Sequence, residues 1–327
     1  MLFDFIPIVK SIQPTVNIII LNYNGRDLLA ECLPSIVEAS HISKYSCKVT
    51  VIDNVSTDDS VSFLMLNFPG VDIVRAKENL ILCSYNDVVQ SLDDDIVILL
   101  NNDLKLDKYF VDPLVSVFIN QSDVFFVASR GYSFDGVDYE GDRAIAKIRW
   151  GILAPETRFK GHEKFITKNG YTISAGIAAF DRKKFIELGG YDDLYLPGRY
   201  EDVDLCFRGW KRGWKGVYQP KSIQFHMGCV SFKKSFKQKE IDNIVFRNSI
   251  LFTIKNITSI RLWVQFLFFL FLRLGYFLIC GKWGFLVSFY EAVRKLPSVL
   301  EKREKAKRLF FVNDLDVLKK VNEGIVT

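Results

Sequence analysis

Several features that would narrow the function are missing from this sequence. There are only three His and six Cys in 327 residues. None of the cysteines (Cys32, Cys47, Cys83, Cys206, Cys229, Cys280) sits in a CxxC pair or any other paired spacing. That argues against a disulfide framework and for reduced thiols in the cytosol. There is no internal repeat and no low-complexity tract. The start, MLFDFIPIVKS, has an acid at position 4 and too short an apolar run for a secretory leader. Net charge is only +5, too small to argue for nucleic acid.

What is present is apolar. Hydrophobic residues make up 49% of the chain and charged residues 25%, which excludes a disordered polymer. A chain of this length buries a large core without covalent staples. The 28 Phe are unevenly spread, with 13 of them in residues 226–327. That same stretch holds 18 basic and 8 acidic residues, a net of +10, against −5 for the rest. A basic, Phe-rich tail suggests nucleic acid or a membrane surface, and the order of its residues favours the membrane. Residues 262–280 (LWVQFLFFLFLRLGYFLIC) are just long enough to cross a bilayer, although Gln265 and Arg273 interrupt them. Basic residues flank the run on both sides, from Lys233 to Arg261 upstream and from Lys282 to Arg308 downstream. That pattern suits an anionic cytoplasmic leaflet. The segment either spans the bilayer or lies on it; the alternative is a buried core helix.

The first hundred residues alternate strand and helix. VNIIILN (16–22), KVTVIDN (48–54), VDIVRA (71–76) and DIVILLNND (95–103) are apolar runs ending in polar groups, the pattern of buried parallel strands. Helices are expected over 26–39, with Pro34 inside, and over about 58–67 and 83–92. This predicts an α/β fold with a mainly parallel sheet whose ligands bind at the carboxyl ends of the strands. Residues 134–170 have the weakest periodicity and are expected to contain a flexible loop. Helices over 182–189 and about 201–212 and a strand at KGVYQP complete the pattern.

Candidate chemistry follows the strand ends. Asp103, with Asn101 and Asn102, would project where a hard cation bridges a diphosphate. Asp53 could contact a nucleotide or simply cap a turn. Asp58 and Asp59 are expected at a helix start. Glu201 and Asp202 begin the predicted 201–212 helix, a place that suits the helix dipole and a general base alike. His226 could join a metal if one lies nearby. His41 and His162 are expected at the surface.

Together, IIILNYNG, VIDNVSTDDS, LLNND, GGYDDLY, YEDVDLCFR and a later His, in this order, resemble the family 2 glycosyltransferases of the GT-A fold. They resemble most the rhamnosyltransferase-like bacterial branch that builds cell-surface polysaccharides. IVFRNSILFTIKN (244–256) is similar to a segment that follows the catalytic domain there. The resemblance covers about 15–260. It implies a lead over 1–14, a GT-A catalytic domain over 15–225 and a helical membrane-associating region over 226–327. It implies that Asn22, Tyr23, Asn24, Asp53, Asn79, Asn101 and Asn102 bind a nucleoside-diphosphate sugar. Asp103 and His226 would then hold Mg²⁺ or Mn²⁺, with Ser231 nearby. Asp202, paired with Glu201, would be the catalytic base. The activity implied is inverting transfer of a sugar, rhamnose being one candidate, to a lipid-linked glycan at the cytoplasmic face of the membrane. One departure concerns the donor: the glycines the branch carries after its third strand are absent from ENLILCSYND (78–87), though Asn79 and Asn86 remain. A non-catalytic, membrane-docked nucleotide-sugar-binding scaffold is the alternative. A nucleotidyltransferase is disfavoured because no Gly- and Lys-rich phosphate loop follows the first strand.

Overall fold

A computed structural model describes residues 13–141, 143–228 and 236–325. Ser231, Cys229, Lys233, Lys234 and most of the 1–14 lead lie outside the described residues. The chain begins with β1 (Val16–Asn22), α1 (Arg26–Ile42), β2 (Cys47–Asp53), α2 (Ser60–Asn67), β3 (Asp72–Arg75), α3 (Tyr85–Ser91) and β4 (Ile96–Asn101). Next come β5 (Leu104–Leu106), α4 (Val111–Asn120), β6 (Val124–Ser133), β7 (Tyr139–Gly141), β8 (Ile145–Arg149), β9 (Ile152–Glu156), β10 (Gly170–Tyr171) and β11 (Ala178–Asp181). Then α5 (Arg182–Glu187), α6 (Glu201–Arg212) and β12 (Lys215–His226) lead into α7 (Gln238–Asn256), α8 (Ile260–Ile279), α9 (Trp283–Arg294), α10 (Leu296–Lys307) and α11 (Asp314–Val321).

The main sheet runs β10-β12-β6-β11-β4-β1-β2-β3. Strands β1 to β4 are mutually parallel, and β11 runs antiparallel between β4 and β6. The sheet is therefore mixed and mainly parallel, as the alternating pattern predicts. Strand β1 is central and covered on both faces, which is why its sequence is continuously apolar rather than alternating. Helix α1 continues through Pro34 to Ile42.

Residues 134–170, expected to contain a loop, also hold regular structure. They contain β7 and a β8–β9 hairpin. The hairpin turn is Trp150-Gly151, and both residues have positive φ (53° and 77°), as a two-residue type I′ turn requires. Trp in place of the usual Asn hides this turn in the sequence. His162 is likewise not a simple surface residue: its ring stacks on Tyr139 at 5.8 Å and its Nδ1 lies 3.0 Å from the Phe159 carbonyl.

The expected boundary at 225/226 falls inside β12. Residues Ile250, Leu251 and Phe252 of α7 share one core cluster with Phe125 and Phe126 of β6. Further along, Asp314 is buried and accepts from Lys211 Nζ at 2.5 Å and from the Ser259 N–H at 2.6 Å. The helices after β12 are thus built into the sheet domain, although α8 still presents a long exposed apolar face.

Candidate active site

The topology gathers the candidate residues at one edge of the sheet. Asp53 ends β2, and Asp103 lies two residues beyond the end of β4. Because β11 is antiparallel to β4, with Ala178 opposite Leu99, the loop entering β11 lies at this same edge. Gly176 in that loop faces Asp202: a Cβ there would stand 3.9 Å from Asp202 Oδ2. His226, at the end of β12, is paired in register with Leu104. Its Nε2 lies 3.5 Å from Asp103 Oδ1, while its Nδ1 lies 3.1 Å from Glu140 Oε2. Sequence reasoning missed Glu140, because an acid in an aperiodic stretch carries no signal and only the β6–β7 pairing brings it to His226.

Two carboxylate oxygens, Asp53 Oδ1 and Glu201 Oε2, are buried with no hydrogen-bond donor among the described residues, and Asp103 Oδ1, also buried, faces His226 Nε2 at 3.5 Å. Buried acceptors are nearly always satisfied, so such groups call for an explanation. Asp103 and His226 supply the oxygen and nitrogen donors that suit Mg²⁺ or Mn²⁺. Among the described residues no group of three or more His, Cys, Asp or Glu side chains converges as a closed metal cage. An open two-residue site leaves positions for diphosphate oxygens and water. For His226, burial alone would lower the pKa, but the hydrogen bond and charge from Asp103, with the charge of Glu140, raise it.

The expected nucleotide-binding set divides. Asn22 and Asn102 are buried and bonded to each other, Asn102 Nδ2 donating to Asn22 Oδ1 at 2.7 Å. They brace the edge and do not project from it. Gly25 permits that pairing, since a Cβ there would stand 2.1 Å from Asn102 Nδ2. Asn24, at φ 46°, ties β1 to the next loop by accepting from the Thr57 N–H at 2.7 Å. Asp58 accepts from the Ser60 and Arg26 N–H groups. Asn79 accepts from Asn54 Nδ2 and from the Ile81 N–H. Ile81 itself adopts φ 53°, a left-handed conformation that favours glycine and strains a β-branched residue. The missing glycines are thus replaced by a strained Ile held by Asn79. Asn86 spans α3 to the Gly-Gly-Tyr-Asp turn, bonding both the N–H and the carbonyl of Tyr191. Tyr23, Asp53 and Asn101 remain as side chains of this set not engaged in such bracing.

Glu201 and Asp202 open α6 after two bulky residues with positive φ, Arg199 (72°) and Tyr200 (77°). Such backbone persists only where its surroundings over-determine it, and here α7 does so. Asn248 Nδ2 donates to the carbonyls of Tyr195, Gly198 and Arg199 at 2.7–2.9 Å. Arg247 Nη2 donates to the Leu196 carbonyl at 2.6 Å. Phe252 packs on the rings of Tyr200 and Phe207. Beneath lies a buried ion cluster: Asp204 accepts from Arg208, Lys255 and Asn256, and Lys255 also bonds Asp192. The Arg-Asn…Phe…Lys-Asn segment is therefore the clamp on the loop carrying Asp202. A cleft of about 750 Å³ opens on this cluster between α3 and α10, next to Lys302 and Lys77, and is distinct from the Asp103 edge.

Burial raises the pKa of both acids at the start of α6. For Glu201, burial and then the charge of Asp202 push the value up to about 8. Asp202 is also raised by burial. A base must be deprotonated to act, so with Asp202 in that role activity should fall as pH drops, with an acid limb above the ordinary carboxylate value because burial raises Asp202. A kcat–pH profile checks this; an acid limb at or below the ordinary carboxylate value would refute it.

The family model for Glycosyl transferase family 2 matches residues 17–189. A comparison with curated proteins finds no significant match. The fold is similar to that of GalNAc-T7, solved with UDP, GalNAc and Mn²⁺ (TM-score 0.59, 16% identity, covering 75% of this chain and 48% of that one). This chain thus spans about half the length of that protein. It is also similar to the mannosyltransferase PcManGT from Pyrobaculum calidifontis in complex with GDP-Man and Mn²⁺ (TM-score 0.52, 14% identity, 95% and 86% covered). A third similar structure is S. aureus TarS 1–349 (TM-score 0.54, 14% identity, 94% and 90% covered). The mixed, mainly parallel sheet with its flanking helices is the GT-A fold, and the chain belongs to glycosyl transferase family 2.

Proposed function

We propose that this chain is an inverting, metal-dependent glycosyltransferase acting on a lipid-linked glycan at the cytoplasmic membrane surface, in cell-surface polysaccharide synthesis. The observation that carries the reading is the buried Asp103 facing His226 Nε2 at 3.5 Å, together with the buried, donor-less oxygens Asp53 Oδ1 and Glu201 Oε2. The similar structures solved with UDP or GDP-Man and Mn²⁺ support a nucleoside-diphosphate sugar donor and a divalent metal. Rhamnose is a candidate sugar through the branch that the sequence resembles.

In this mechanism Asp202 accepts the proton of an acceptor hydroxyl. The freed oxygen bonds to the anomeric carbon as the bond to the diphosphate breaks, and the nucleoside diphosphate leaves with that electron pair. Asp103 and His226 would hold the cation, and Glu140 orients the imidazole from its far side, as outer carboxylates commonly do. When bound, Mg²⁺ or Mn²⁺ supplies positive charge against the leaving diphosphate. Asp53 accepts from the base or ribose of the donor, and Tyr23, exposed on the same rim, offers a stacking face.

A thermal-shift screen of dTDP-, UDP- and GDP-sugars with Mn²⁺ tests this. The cognate donor should raise Tm by about 5 °C at saturation. Asp103→Asn should lose the Mn²⁺-dependent part of that shift. No shift with any donor, or an unchanged shift in Asp103→Asn, would count against the reading.

A further inference from the structure

Helix α8 is long and apolar enough to cross a membrane. It is also fastened to the catalytic domain at points near its start, within it and near its end. Leu262, Phe266 and Phe277, on one stripe, are buried. Near its start, Trp263 Nε1 donates to the Ile257 carbonyl. At its middle, Gly151 of the β8–β9 turn packs against the helix backbone; a Cβ there would stand 2.6 Å from Phe266 Cα. Arg273 reaches back to the Arg149 carbonyl at 3.4 Å. Near its end, Phe277 stacks on Phe285 at 4.5 Å and meets Phe246 of α7 edge-on. A helix held this way cannot span without dragging the β8–β9 hairpin, with its ion-paired Lys147, Arg149 and Glu156, into hydrocarbon. Buried charge there is costly.

The opposite face is open. Phe271 is 73% exposed and Ile279 86%. Trp283, Val287 and Tyr290 extend the same kind of face along α9. Beside it stands Trp150, 64% exposed at the hairpin tip, its ring edge-on to Phe269 at 5.4 Å. Trp150 has φ 53° at a turn position that favours Asn or Gly. A strained, exposed Trp in that place points to a use for the ring. Lys282 and Arg294 lie over the rings of Tyr276 and Tyr290, and Arg261 stands at the start of α8. Cations and amphipathic aromatics around an apolar face match the headgroup layer of an anionic bilayer.

We propose that α8 lies in the plane of an anionic bilayer, one leaflet deep, with Trp150 at the hairpin tip inserting beside it as a second anchor. This deepens the membrane-docking reading above and rests on it. The hairpin then has a second duty. Tyr200, two residues before Asp202, donates its hydroxyl to the Leu153 carbonyl at 3.0 Å. The loop carrying the proposed base is thereby tied to the element that meets the lipid.

The test uses the full chain and vesicles of phosphatidylcholine with or without phosphatidylglycerol. Binding should require the anionic lipid. With brominated lipids, tryptophans placed by Val264→Trp, Phe271→Trp and Ile279→Trp should be quenched at one shallow depth. A profile deepest at 271 and shallow at both ends would mean a spanning helix and overturn the proposal. Trp150→Ala should weaken anionic-vesicle binding about tenfold, the loss expected for withdrawing one large side chain from the interface. Trp150→Asn, which suits the turn conformation, should show the same loss; wild-type binding by Trp150→Asn overturns the anchor. A stable dimer in vesicle-free buffer that excludes vesicle binding would also overturn it. Donor turnover is measured separately in detergent. Failure of the transferase reading would appear there and leave vesicle binding and depth unaffected.

Discussion

Asp202→Asn should slow sugar transfer by about 10³-fold while donor affinity stays within about twofold. Removing a positioned general base typically costs 10²- to 10⁴-fold, and 10³-fold corresponds to about 4 kcal/mol of barrier. Asn keeps the shape of the side chain, so the opening of α6 and the neighbouring Gly176 loop are undisturbed. In the proposed mechanism Asp53 and Asp103, not Asp202, hold the donor, so its binding should survive. Single-turnover transfer and calorimetric donor titration on one preparation separate the two quantities. Turnover at the wild-type rate would remove Asp202 from the role of base. Equal loss of donor affinity and rate would make it a binding residue instead.

Asp204→Ala should cost about 3–5 kcal/mol of stability, the range for breaking a buried ion pair by removing one partner. Asp204 is fully buried, and its loss leaves Arg208 and Lys255 inside the protein without their shared carboxylate. Against a total stability of about 5–15 kcal/mol, that is a large fraction. Tm should fall by about 10 °C. Lys302→Gln is the control: Lys302 bonds Asp192 and Asp193 from the more exposed rim of the cluster, and its loss should cost under about 1 kcal/mol. Equal effects of the two substitutions would show that the buried centre of the cluster holds the fold no more than its exposed rim. The same cluster has a pH signature. Burial alone would raise the pKa of Asp204, but Arg208 and Lys255 overcome it and hold the value below the ordinary one. Its stabilisation is therefore complete above the unfolded-state carboxylate pKa and is lost as pH falls through the lower folded-state value. Glu201 and Asp202 act in the opposite sense. Raised by burial, they cost stability: the cost is absent below the unfolded-state carboxylate pKa and is complete once pH has risen through their folded-state values.

Much of the first half of the fold was legible because strand and helix leave different periods in the sequence. β1, β2 and β4 are apolar runs that end where the sheet opens to ligand. The span of α6 follows from its own pattern, with Val203, Phe207 and Trp210 buried on the inner side. The β8–β9 hairpin was not legible, because its turn uses Trp where the usual signal is Asn. Of the nucleotide-binding residues expected, Asn22 and Asn102 brace one another. An amide that holds a sheet edge and an amide that projects from it look alike in one dimension.

By itself the sequence determined the order of strands and helices, the polar strand ends and a basic, Phe-rich tail, since each depends on local period and composition. Tertiary structure decided what depends on contacts between distant segments. It brought Glu140 to His226 across 86 positions. It made α7 a clamp on the loop before Asp202, because Asn248 and Lys255 find partners about 50 residues earlier in the chain. It also gave the apolar helix one packed side. Hydropathy counts residues and cannot distinguish a spanning helix from one lying flat, whereas packing of α8 against Gly151, Phe246 and Phe285 fixes one side of it to the catalytic domain.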